Sequence, residues 1–152
     1  MNRSVFLIAP CALLAACSVG GKGFVASRDY GRVADCYAAY MSIGIDARDP
    51  ALGYSADQVE LENEVNLESV QRLQPYLKPA SKKAGGDGKF LQLVAAWRLR
   101  PDNNIDQPAS PEQKRAIYQH ILLEASQCHG TLSHWGAPMR PPVSAPKVET
   151  KT

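Results

Sequence analysis

Cys36 and Cys128 stand near opposite ends of the patterned part of this chain, and each lies on the apolar side of a helical repeat. In the first repeat, from about Arg28 to Ile43, the residues Val33, Cys36, Tyr37, Tyr40 and Met41 recur at spacings of three and four. In the last, Ile117, Ile121, Ala125 and Cys128 fall on one side, flanked by Tyr118 and Leu122. A bond between the two thiols would staple the first helix to the last within one core. Such a bond needs an oxidising compartment, so the amino terminus decides whether it can form.

Met1-Asn2-Arg3-Ser4 carries one positive side chain, Val5–Leu14 is almost wholly apolar, and Ala15-Ala16 is a small-residue exit. That order reads as a secretory signal peptide. A spanning helix needs about 20 apolar residues, and Pro10 interrupts a run half that long. Leu14-Ala15-Ala16-Cys17 resembles the lipobox of bacterial lipoproteins. The resemblance covers residues 1–21 and implies cleavage before Cys17, a diacylglycerol on its thiol and acylation of the new amino terminus. Two or more acyl chains hold a protein stably at a membrane surface, whereas one holds it only marginally. Ser18 in place of Asp is similar to the outer-membrane case of that family, which implies a lipid anchor facing the periplasm. Cys11 leaves with the signal peptide.

The expected organisation is a signal peptide over 1–16, a lipidated Gly-rich tether over 17–27, a helical domain over 28–135 and a disordered Pro-rich tail over 136–152. Cys36 and Cys128 are then the two remaining thiols of an exported chain, and a Cys36–Cys128 disulfide is predicted. It would close a loop of about 90 residues, worth roughly 4–5 kcal/mol by chain entropy.

Two further helices lie between the stapled pair. The second begins near Ser55 or Asp57, with Ser55 and Gln58 spaced as a capping box. Val59, Leu73 and Leu77 share a face, with Val70 about 20° away. Pro75 is expected to kink or end this helix, and Ala80–Gly88 reads as a loop. The third runs from about Asp87 to Leu99 with a stripe of Phe90, Leu93, Val94 and Trp97. The fourth has Ser110 as cap, Pro111 at the first position and Gln113 at the third, with a stop at His129-Gly130. No alternating apolar and polar run argues for strands. The expected fold is all-α: a small four-helix bundle stapled by one disulfide.

The formal net charge is only +2, and the Lys and Arg residues are dispersed, which argues against nucleic acid. No Gly-rich phosphate loop in a strand-turn-helix setting and no Gly-x-Ser-x-Gly is present. Cys128, His129 and His134 would leave too few ligands for zinc once Cys128 is oxidised. No metal, cofactor, small-molecule substrate or catalytic residue is therefore assigned. Glu60, Glu64 and Glu68 form an acidic ridge on the second helix, and Leu61 and Val65 point away from its main apolar face. Either another element covers Leu61 and Val65, or these five residues form a partner surface with an apolar centre and a charged rim. The disulfide-stapled helical architecture resembles that of pilotin-type lipoproteins, which escort secretin subunits. That resemblance implies a non-catalytic assembly module of the cell envelope with a protein partner. The alternative is an immunity or inhibitor lipoprotein that binds a toxic hydrolase.

Overall fold

The structure, a computed structural model, describes residues 29–134. Cys17, the tether and the 136–152 tail lie outside the described residues. Four helices follow in order: α1 (Tyr30–Asp46), α2 (Ala56–Ala84), α3 (Asp87–Arg98) and α4 (Pro111–His134), with one 3-10 turn at Pro50–Leu52. The fold is the expected all-α bundle.

α1 is the hub. It packs against α2, α3 and α4, and α2 also touches α3. Among the described residues, the backbone of α4 comes within 8 Å of neither α2 nor α3. Small residues let α1 serve three neighbours: Ala34, Ala38 and Ala39 are buried along it. Gly44 belongs to the same device. A side chain there would collide with Asn66 of α2, so Gly44 marks a close approach, and α1 continues past the expected stop at Ile43 to Asp46.

The staple is present. Cys36 and Cys128 form a disulfide with Cα atoms 5.5 Å apart, inside the range such a bond requires. Beside it, the Tyr40 hydroxyl donates to the Ala125 carbonyl at 3.2 Å, and the Tyr118 hydroxyl donates to the Ile43 carbonyl at 3.4 Å. Ile121, Leu122 and Leu132 complete this seam.

Both capping boxes form. The Gln58 amide donates to Ser55 Oγ at 3.3 Å and the Ser55 amide to Gln58 Oε1 at 2.9 Å. Ser110 and Gln113 repeat the pattern at 3.3 and 2.8 Å. The helix ends differ from expectation. α2 runs through Pro75 and Pro79 to Ala84 and stops at Gly85, whose φ is 99°. Each interior proline costs about 3 kcal/mol. Burial of a tyrosine-sized ring removes 150–250 Å² from water, about 4–6 kcal/mol. Tyr76 is wholly buried just after Pro75, and Ala80 is buried just after Pro79. Pro75 itself faces solvent, as does Gln71, whose carbonyl loses its usual helical donor to the ring. Water can satisfy that group there. α4 likewise passes Gly130 to His134. Leu132 is fully buried in the core beyond that glycine, and Thr131 Oγ1 bonds the Gln127 carbonyl at 3.0 Å.

Candidate interaction surface

α2 reaches about 43 Å along its axis, and its two faces have opposite chemistry. The inward stripe is Glu62, Val65, Ser69, Leu73, Tyr76 and Ala80, all buried. Val65 is therefore a core residue, and Leu61 is half-buried. The expected partner surface is corrected accordingly: Val65 has no part in it and Leu61 offers only an edge. Glu60 and Glu64 are exposed as predicted. Glu68 accepts from Arg72 Nη2 at 2.6 Å and Nε at 3.1 Å, within the same helix.

The error has a physical source. Two of the six inward positions, Glu62 and Ser69, are polar, so counting apolar residues selects the side of Val59 and Leu77, which are only half-buried. The true core face is centred about 80° further round the helix. Glu62 is the unusual member. Its side chain is wholly enclosed near Tyr54 and Tyr118, whose rings meet edge-to-face at 5.7 Å. Burial, and after it the Glu62 charge, pushes both phenols well above their ordinary ionisation range. Burial also pushes the Tyr40 phenol up to about 12, against a smaller opposing pull from Ser69.

The outward stripe of α2 is Glu60, Glu64, Leu67, Gln71, Gln74, Lys78 and Lys82, every one exposed. Spacings of three and four hold them within about 40° of one line, diametrically opposite the core stripe. Acid precedes base along it, the order that suits the helix dipole. Beside its basic end lies an open groove of about 780 Å³ between the last turns of α2 and the first of α3. Tyr37, Leu77, Phe90 and Leu91 line it, with Lys78 and Lys82 along the α2 side. Tyr37 and Phe90 meet at a centroid distance of 6.4 Å. Leu91 is 55% exposed. Within its lining, Ser81 Oγ donates to the Asp87 carboxylate.

None of the groove residues was singled out in the sequence as a binding position. Leu77 and Phe90 read as ordinary core, and Tyr37 as part of the apolar side of α1. The available signal was the ordered stripe of charge, Glu60 and Glu64 four apart and then Lys78 and Lys82 four apart. At the other end of α3, Arg98 donates to Asp46 Oδ1 at 2.7 Å and to Ser42 Oγ at 2.9 Å. Burial nevertheless pushes the Asp46 carboxyl up to about 6, with the Arg98 charge working in the opposite direction.

Among the described residues, no group of three or more His, Cys, Asp or Glu side chains is placed to hold a metal ion, and no helix is long and apolar enough to cross a membrane. No family model matches this chain, and neither a curated protein nor a solved structure matches it.

Proposed function

We propose that the protein is a lipid-anchored, periplasm-facing interaction module of a cell-envelope assembly, non-catalytic, and that it works through the outer face of α2 and the adjoining groove. The anchor reading rests on Leu14-Ala15-Ala16-Cys17 and its likeness to the lipobox. The observation that carries the contact reading is the groove: exposed Leu91 beside half-buried Tyr37 and Leu77, floored by buried Phe90 and edged by exposed Lys78 and Lys82. A concave apolar centre with a charged rim is the anatomy of a protein interface.

Site-directed photocrosslinking in living cells tests it. A benzophenone amino acid in place of Leu91 or Leu77 should give discrete protein adducts. The same probe in place of Leu123, which is 55% exposed on α4, should give none above background. Absence of adducts from both groove positions in membrane-anchored protein overturns the proposed surface. An adduct with a secreted hydrolase would replace the assembly role by an inhibitor role on the same face. Cys17→Ser tests the anchor separately: the variant should leave the membrane fraction and lose its acyl mass.

A further inference from the structure

The outward stripe of α2 is complementary to itself when reversed. We propose that the partner on this face is a second copy of the chain, joined as an antiparallel two-fold pair of α2 helices centred on Gln71. The inference rests on the reading above that the outer face of α2 is an interface, and it names what covers that face.

Numbering outward from Gln71 shows the match. Glu64 lies seven residues before it and Lys78 seven after; Glu60 lies eleven before and Lys82 eleven after. Two α2 helices laid antiparallel with both Gln71 side chains on the axis would bring Glu64 of each copy to Lys78 of the other, and Glu60 to Lys82. A two-fold interface repeats every contact, so the pairing occurs at both ends. The stripe from Glu60 to Lys82 runs along about 33 Å of helix, and each of its seven residues is exposed. In the same register Leu67, 60% exposed, lies against Pro75 and Gln74 at the edge of the other copy's groove. A parallel pair would instead set Glu against Glu and Lys against Lys. The charge order thus selects direction as well as register, as charged flanks do in paired helices. Antiparallel dipoles also attract where parallel ones repel. Glu68 does not enter this pattern, because Arg72 of its own helix engages it.

Exposed ion pairs are individually weak and are screened by salt. The pair is therefore weak in dilute solution and is populated where chains are concentrated. Anchoring many copies to one membrane supplies that concentration.

The test uses the full chain in its membrane. Gln71→Cys lies near the axis, so a short bis-maleimide should link two copies, and Leu123→Cys on α4 should not link. Glu60→Lys with Glu64→Lys makes both ends of the stripe basic, and Lys78→Glu with Lys82→Glu makes both ends acidic. Each double variant, in the Gln71→Cys background, should lose at least tenfold of the linked dimer. The two, differently tagged and co-expressed, should recover it as a mixed dimer. All the altered side chains are exposed, and circular dichroism of each purified variant should show unchanged helix content. No Gln71→Cys adduct, an adduct indifferent to charge reversal, or failure of the mixed pair to recover overturns the proposal. Adducts from Leu91 to another protein, alongside no Gln71→Cys adduct, would sink the self-pair and leave the interaction reading standing. Loss of both would remove the reading as well.

Discussion

α1 packs on both α4 and α3 through apolar side chains, but the other interactions at the two seams differ in kind. The seam with α4 is apolar and covalent: a disulfide, two buried tyrosine hydroxyls on carbonyls, and packed Ile121, Leu122 and Leu132. The seam with α3 ends in a partly buried ionic knot in which Arg98 reaches Asp46, Ser42 and the more exposed Asp106. The first is built from a disulfide, tyrosine hydroxyls and apolar side chains, none of which changes charge between pH 4 and 6. The second includes a carboxyl that does, because burying a carboxylate costs more than one guanidinium returns. One helix can thus be locked in place on one side and remain titratable on another.

The largest expected effect breaks the first seam. Cys36→Ala with Cys128→Ala should cost roughly 4–5 kcal/mol of unfolding free energy, from the loop of 92 residues that the bond closes. Chemical denaturation of both forms measures it. A loss under 1 kcal/mol would mean that the apolar packing alone fixes α1 against α4.

The second seam is tested by pH. The Asp46 carboxyl ionises near 3.8 in the unfolded chain and near 6 in the fold. Below about pH 4 it is protonated in both states and favours neither. Between about pH 4 and pH 6 the unfolded chain is ionised at this carboxyl while the fold still holds its proton, so stability falls by roughly 3 kcal/mol in all and levels off above 6, where both states carry the charge. Asp46→Asn should flatten that part of the stability–pH curve. A parallel curve for the variant would assign the dependence elsewhere.

The two faces of α2 sharpen the contrast between structural and contact residues. Val65→Ser should cost about 2–3 kcal/mol, since it removes a fully buried branched side chain and buries a hydroxyl. Leu67→Ser, two residues on, should shift stability by no more than about 0.5 kcal/mol while reducing the Gln71→Cys crosslink. Equal effects on melting from the two would show that the faces are not distinct.

The sequence by itself determined whatever depends on neighbours within a turn or on simple composition. The starts of α2 and α4 were legible because Ser55 with Gln58, and Ser110 with Gln113, satisfy their own amides at a spacing of three. The all-helical class followed from apolar residues recurring at three and four, and the disulfide from two thiols on inward faces. Tertiary structure alone decided what those signals could not reach. α2 crosses Pro75 and Pro79 because Tyr76 and Ala80 are buried against α1 and α3. Gly44 lies inside α1, where its missing side chain leaves the space that Asn66 of α2 fills. Val65 is core and Leu67 is surface because α1 faces a stripe that includes Glu62 and Ser69, two polar residues that no apolar count would place inside. A cap is a local bond and can be read locally. A face is inward only because of chain that arrives from elsewhere, and the groove exists only where α2, α3 and α1 meet.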